Sequence, residues 1–263
     1  MCFRIGWSIV LEHVTATRYV VPLREGGSLP GVVEADDLGT YVVKFRGAGQ
    51  GLKVLVAEVI VGELARAIGL DVPRLVTIDL PQAIARYEAD EEVQDLLNAS
   101  PGTNLGTDLL PGALGWDASR PIAAHLAASV VWLDALTANV DRTWPNPNLL
   151  LWHGRPWLID HGAALYFHHS WPRRAPDADR FAAQRYDAGQ HLLLSAAGDV
   201  GTVHDELARR AAARLDAVLD EVPTEWLETT PWLPDPAAVR TAYREHLLAR
   251  LQSPGTWLPG GTT

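Results

Sequence analysis

The chain has 263 residues, of which 48% are hydrophobic and 21% charged, so it can bury a sizeable core and is neither disordered nor collagen-like. Its single cysteine, Cys2, excludes an intrachain disulfide, and its formal net charge of −10 argues against a general nucleic-acid binder. No apolar stretch reaches the roughly 20 residues of a membrane span, so we expect a soluble, cytoplasmic protein that binds neither nucleic acid nor membrane.

The N-terminal part of the sequence predicts strands and one main helix. The predicted strands cover residues 15–21, 32–35, 40–45 and 75–80. Residues 53–68 carry apolar side chains at helical spacing and stop at Gly69, which predicts a helix. Residues 88–97 are acidic and predict a helix or a loop. Residues 100–112 are rich in Gly, Asn, Thr and Pro, which is typical of a connector.

From residue 121 onward the sequence is mainly helical. The predicted helices cover residues 121–139, 180–185, 203–219 and 236–251. Residues 139–147 are polar and contain proline, so they predict a loop, and two short apolar runs at 149–152 and 156–159 predict a hairpin. The sequence therefore predicts an α+β protein with an N-terminal lobe at 1–104, a connector at 105–113 and a helical lobe at 114–263.

The loop and hairpin of the helical lobe carry the residues best suited to chemistry. An apolar helix leads to Asp141, Asn146 follows five residues later, and Asp160 ends the second strand of the hairpin. One carboxylate can orient an acceptor hydroxyl, while an amide oxygen and a second carboxylate can hold Mg²⁺ ions against the phosphates of ATP. The hairpin would bring these groups together.

This pattern resembles the HipA-like kinases, a branch of the protein-kinase-like fold. The family pattern Asn-x-Asp-x-x-x-x-Asn followed by two leucines is similar to Asn139, Asp141, Asn146 and the pair Leu149-Leu150. The resemblance implies a two-lobed protein-kinase-like fold and phosphoryl transfer from ATP, with Mg²⁺, to a hydroxyl group. It favours serine or threonine of a protein as the acceptor.

The resemblance also implies roles for single residues. Asp141 takes the catalytic-base position, and Asn146 and Asp160 take the metal positions. Asp160 lies in a Leu-Ile-Asp-His-Gly sequence that is similar to Asp-Phe-Gly, with His161 in place of the aromatic residue. Asn148 remains an alternative metal ligand, because ordinary kinases carry the ligand directly before an apolar run.

The N-terminal lobe contributes a lysine. Only Lys44 and Lys53 are lysines in a chain with 22 basic residues, and Lys44 lies in a strand of the Val-Ala-Ile-Lys kind. Its ammonium would meet the phosphates of ATP, and a glutamate of the next helix would hold it in place. Similarity to the family's helix favours Glu58 over Glu63 for that pairing.

Two glycine-rich loops compete for the phosphates. Gly26, Gly27 and Ser28 precede the lysine strand, which is the usual kinase arrangement, whereas residues 47–51 follow it. Backbone amides of either loop can bind an anion. Both loops therefore remain candidates for binding the phosphates, and the first loop is favoured.

The same residues leave other functions open. A kinase-fold enzyme can act on a small molecule or a lipid, or transfer a nucleotidyl group. A regulatory module can bind ATP without turnover. A transition-metal site at His161, His168 and His169 is disfavoured, because no cysteine and no His-Glu-x-x-His spacing accompanies these histidines.

Overall fold

A computed structural model describes residues 11–24, 29–117 and 120–260, which form two compact units. The first unit contains the described residues up to Gly51 and Pro73–Leu110, and the second contains Leu52–Val72 and the described residues from Pro111 onward. The sequence predicts that the helix after the Lys44 strand belongs to the N-terminal lobe. By internal packing this helix belongs to the second unit.

The first unit is a closed β-barrel with strand order β1-β2-β3-β5-β4. The elements of this unit are β1 (Glu12–Pro22), β2 (Gly31–Ala35), β3 (Thr40–Lys44), β4 (Leu75–Leu80), α2 (Glu91–Asn98) and β5 (Gly102–Asp108). The strands β1 and β4 pair in parallel, and the other neighbours are antiparallel. Alternate residues such as Val33, Tyr41 and Val76 fill the interior of the barrel.

The strand β5 lies where the sequence predicts a connector. It pairs with both β3 and β4, although its sequence is rich in glycine and polar residues. Asn104 is buried, and its side-chain amide donates to the carbonyl oxygens of Ser100 and Gly102 and accepts from the backbone N–H of Arg46. A Cβ at Gly106 would lie 2.7 Å from Val76 Cγ2. The unusual composition of β5 thus follows from close packing and satisfied polar groups.

The second unit is helical apart from one small sheet. Its helices are α1 (Leu52–Ile68), α3 (Ala124–Thr137), α4 (Ala178–Ala182), α5 (Leu194–Ala197), α6 (His204–Asp220), α7 (Pro236–Leu251) and α8 (Pro254–Trp257). Its strands are β6 (Leu114–Gly115), β7 (Leu149–Trp152) and β8 (Arg155–Leu158), in that order. The predicted hairpin is therefore β7-β8, with β6 as an additional edge strand.

The helices α1 and α3 form the centre of the second unit, because both are buried around most of their circumference. An all-round apolar sequence is typical of a helix enclosed by protein. Among the described helices, none is both long enough and apolar enough to cross a bilayer. The two buried helices meet the loop and hairpin that carry the predicted catalytic residues.

Candidate functional site

The helix α3 ends where the predicted catalytic loop begins. Ala138 adopts a left-handed conformation with φ 53°, and the backbone N–H of Asn139 donates to the carbonyl oxygen of Asp134 at 2.8 Å. This ends the helix without leaving that carbonyl oxygen unsatisfied. The Asn139 side chain then accepts from the backbone N–H of Asp141 at 3.1 Å. The backbone at Asp141 is therefore anchored to the end of a buried helix.

A buried ion pair lies beneath this loop. Asp134 is the acidic residue of α3, and it accepts from Arg142 Nε at 2.6 Å, from Asn139 Nδ2 at 2.9 Å and from His191 Nε2 at 3.0 Å. Burial opposes ionisation of Asp134, but the Arg142 charge and the bond from His191 outweigh it and hold the pKa of this carboxyl well below its usual range. The carboxylate is thus ionised and satisfied within the core.

Arg142 extends this network to the hairpin. Its Nη1 donates to the carbonyl oxygen of Asn148, which directly precedes β7, and its Nη2 lies 3.4 Å from His161 Nδ1, beyond β8. A guanidinium offers several donors in a rigid plane, so one side chain can serve all three neighbours. Arg142 therefore connects α3 with the residues at both ends of the hairpin.

Two asparagine side chains hold the Asp141 carboxylate. Asn146 Nδ2 donates to Asp141 Oδ2 at 2.8 Å, and Asn148 Nδ2 donates to the same oxygen at 3.2 Å and to the Asp141 carbonyl oxygen at 3.3 Å. Asn146 is exposed, whereas Asn148 is only 8% exposed. Since each amide directs its N–H groups at Asp141, its own oxygen faces another direction.

The hairpin brings Asn148 close to Asp160. The backbone N–H of Ile159 donates to the Asn148 carbonyl oxygen at 3.1 Å, so the residue next to Asp160 pairs with Asn148 across the hairpin. Asn148 and Asp160 both have left-handed backbones, with φ 46° and 55°. Asparagine and aspartate tolerate this conformation better than other non-glycine residues, and such residues cluster at functional sites.

Glu58 binds the segment that follows Asp160. It lies on α1, is buried, and its Oε2 accepts from the backbone N–H of His161 at 2.9 Å. A Cβ at Gly162 would lie 2.6 Å from Val54 Cγ1 and 3.2 Å from Glu58 Oε1, so glycine is required for this close approach. Glu63, the alternative considered above, instead pairs with Arg66 at 3.1 Å.

The predicted phosphate-binding lysine belongs to the first unit. Lys44 ends β3 and pairs in register with Leu105 of β5, with its side chain on the face opposite to Val43. Gly26, Gly27 and Ser28 lie outside the described residues. In the second glycine-rich loop, a Cβ at Gly47 would lie 2.4 Å from the Ala99 carbonyl oxygen, so local packing accounts for that glycine.

Three supporting residues were not found from the sequence. Asp134 could have been suspected, because it is an acidic residue inside an apolar helix. His191 and Tyr186 carry no such signal. Tyr186 donates from its hydroxyl to the Asn139 carbonyl oxygen at 2.7 Å. Of the three histidines considered for a transition-metal site, His168 is buried, and its Nδ1 lies 2.8 Å from the Tyr243 hydroxyl.

Comparisons with known proteins identify the family of the chain and a protein of similar fold. The sequence matches the family described as HipA-like kinase over residues 18–259. The proinflammatory kinase CtkA of Helicobacter pylori is similar in structure, with a TM-score of 0.53, 12% identity, and coverage of 90% of this chain and 96% of CtkA. The Golgi casein kinase with Mn and ADP bound gives a TM-score of 0.48 and 12% identity, covering 92% of this chain and 73% of that kinase. Among curated proteins nothing matches significantly.

We predict that Asp134→Asn lowers the free energy of unfolding of the second unit by about 3 kcal/mol at pH 7, because Arg142 loses its buried counter-charge. The fold depresses the pKa of Asp134, so this stabilisation is present above the unfolded value of about 4. The difference between variant and wild type should shrink as the pH falls below that value. Urea unfolding followed by tryptophan fluorescence at several pH values measures it.

Asp216→Asn is the matched control. Asp216 pairs with Arg244 at the surface and is 71% exposed, so we expect a change of no more than about 0.5 kcal/mol. Equal destabilisation by the two variants, or an Asp134→Asn effect that does not depend on pH, would contradict the importance of the buried pair.

Proposed function

The chain belongs to the HipA-like kinase family, and we propose that it uses ATP and Mg²⁺ to phosphorylate a serine or threonine hydroxyl of a protein. Family membership and the kinase-like structure make it a kinase-fold phosphotransferase. The nucleotide, the metal and the acceptor are our proposal. The observation that carries it is the Asp141 carboxylate, held by two amides beside a hairpin that leads to Asp160.

Asp141 is suited to orient an acceptor hydroxyl. Its side chain is partly exposed, so an acceptor can reach it, while Asn139, Asn146 and Asn148 restrict its backbone and carboxylate. A catalytic carboxylate must stand within hydrogen-bond distance of the hydroxyl in one defined orientation. Phosphoryl transfer depends mainly on such positioning, with limited demands on proton transfer.

We propose Asp160 and Asn148 as the residues that hold Mg²⁺. A carboxylate and an amide oxygen fit this metal, which prefers oxygen ligands and completes its shell with water and phosphate oxygens. When bound, Mg²⁺ would neutralise charge on the phosphates during transfer. We favour Asn148 over Asn146, because Asn148 is buried and its backbone pairs with the neighbour of Asp160, although the ungapped family match selects Asn146.

Glu58 supports this assignment from α1. Its bond to the backbone N–H of His161 fixes the residue that follows Asp160, which limits the directions in which the Asp160 carboxylate can point. We further propose that Glu58 pairs with Lys44, as the family resemblance implies. A carboxylate has two oxygens and several lone pairs, so it can accept from a backbone N–H and from an ammonium together.

The first prediction from the proposed function tests phosphoryl transfer itself. Wild-type protein incubated with Mg²⁺, ATP labelled on the γ-phosphate and a cell lysate should phosphorylate protein, and Asp160→Asn should abolish the transfer. Asparagine is nearly isosteric and tolerates the left-handed backbone at this position, so the fold should survive. Thermal melting checks the fold, and mass spectrometry identifies the transferred group.

The outcomes separate the competing functions. Addition of a nucleotidyl mass, or transfer to a lipid or small molecule alone, would contradict protein phosphorylation. A melting shift with ATP but no transfer to any acceptor would favour a regulatory module. Wild-type rates in Asp160→Asn would refute its metal role.

The second prediction separates the two asparagines. Asn148→Gly should lower kcat about 100-fold and raise the Mg²⁺ concentration needed for half-maximal rate, because a metal ligand is lost. Asn146→Gly should change kcat less than about fivefold. Glycine is chosen because Asn148 has φ 46°, where alanine would add backbone strain. The reverse order of effects in a Mg²⁺ titration would restore Asn146 as the ligand.

The third prediction compares the two lysines. Lys44→Arg should reduce kcat/KM about 100-fold, equivalent to about 3 kcal/mol, because a planar guanidinium cannot replace a compact ammonium between two phosphates. Lys53 forms a salt bridge with Glu228 at 2.6 Å, and Arg can keep that bridge, so Lys53→Arg should have almost no effect. Steady-state kinetics with varied ATP checks both variants. An equally small change of kcat/KM in Lys44→Arg and Lys53→Arg would argue against a catalytic role of Lys44.

A further inference from the structure

Two apolar side chains flank Asp141 and face solvent. Val140, directly before it, is 63% exposed, and Trp144, three residues after it, is 58% exposed. Four other tryptophans of the second unit are almost completely buried, namely Trp132, Trp171, Trp226 and Trp257, whereas Trp232 is 53% exposed. Single exposed apolar residues are common, but an exposed aliphatic and an exposed aromatic residue on either side of a proposed catalytic carboxylate indicate an interaction surface.

The loop that displays Trp144 is held at its base. The backbone N–H of Thr143 donates to the Asn146 carbonyl oxygen at 3.0 Å and to the Asp141 carbonyl oxygen at 3.2 Å. Thr143 also forms an isolated bridge with His191, which belongs to the buried network. Trp144 therefore lies at the tip of a closed turn, and a ligand that binds it need not first order the loop.

The distances along the chain limit what can touch both Asp141 and these side chains. Consecutive Cα atoms are about 3.8 Å apart, so Trp144 Cα lies within about 11 Å of Asp141 Cα and Val140 Cα lies next to it. An extended peptide advances about 3.3 Å per residue. A side chain within about three positions of a hydroxyl held by Asp141 can therefore reach Val140 or Trp144.

The charge of the loop selects among peptides. Within residues 139–148 the sole basic residue is Arg142, which is buried and bonded to Asp134. The exposed part of the loop thus carries the negative charge of Asp141 beside apolar surface. Acidic residues next to the acceptor would be repelled, whereas apolar residues would gain buried area against Trp144 and Val140.

We propose that Val140 and Trp144 form an acceptor-docking surface for a protein segment with a bulky apolar residue within about three positions of the phosphorylated serine or threonine. This inference rests on the proposed function, because that function puts the acceptor hydroxyl at Asp141. The occupant is an extended peptide with apolar side chains, because Val140 offers an aliphatic contact and residues 139–148 carry no exposed cation that would attract an acidic segment.

Peptide binding tests the surface without requiring turnover. Three fluorescent peptides carry one serine in a glycine background, with leucine and phenylalanine, two asparagines, or two glutamates at the flanking positions. Fluorescence anisotropy with the full chain and ATP should show at least tenfold tighter binding of the apolar peptide than of the other two. Trp144→Ala should weaken that binding at least tenfold. Trp232→Ala is the matched control, because Trp232 is 53% exposed in the same unit, and it should leave the affinity unchanged.

Kinetics with the same peptides separates docking from a general loss of activity. Trp144→Ala should raise the KM for the apolar peptide at least tenfold and leave the KM for ATP within twofold. Trp144-dependent binding with no phosphoryl transfer would support the docking surface and refute the proposed function. Transfer that is equally efficient in Trp144→Ala and Trp232→Ala would overturn the docking surface and leave the proposed function intact. Absence of peptide binding, or a small polyol bound at Trp144 instead, would overturn the docking surface as well.

Discussion

The buried ion pair between Asp134 and Arg142 is the interaction on which the candidate site depends. Two charges removed from water cost several kcal/mol each, and this cost is offset only when their hydrogen bonds are complete. Asn139 and His191 supply further hydrogen bonds to the Asp134 carboxylate. Because the backbone N–H of Leu193 donates to His191 Nδ1 at 3.1 Å, the other ring nitrogen carries the proton that His191 donates to Asp134. The imidazole therefore acts as a donor of defined orientation.

The hydrogen bonds of this buried pair also order the residues of the candidate site. Arg142 bonds the carbonyl oxygen of Asn148 and approaches His161, so it restrains the residues before β7 and after β8. Asn148 and Asp160, which have left-handed backbones, lie beside these two restraints. Each such conformation costs on the order of 1 kcal/mol or more, and it persists only where surrounding contacts hold it. The carboxylate and amide groups are thus oriented before any ligand arrives, which is the condition for electrostatic catalysis.

Much of the fold was predictable because its signals are local. Helical spacing in α1 and α7 and the short apolar runs of β7 and β8 depend on neighbouring residues alone. The strand β5 was missed, since its glycine and asparagine are explained by packing against β4 and by bonds to Ser100 and Arg46. The sequence proposes a set of site residues, but it does not identify most of the residues that support them. His191 reaches Asp134 from 57 positions away in sequence, and no local pattern marks it.

The assignment of α1 shows how sequence order and packing can diverge. The helix follows the Lys44 strand in sequence, yet it belongs to the compact unit that contains Asp141 and Asp160. Two contacts join this helix to the candidate site. Glu58 accepts from the backbone N–H of His161, and Gly162, which lacks a side chain, allows Val54 to come close. Because these contacts join α1 to the residues directly after Asp160, the orientation of the proposed metal ligand depends on the position of a helix from the N-terminal part of the sequence.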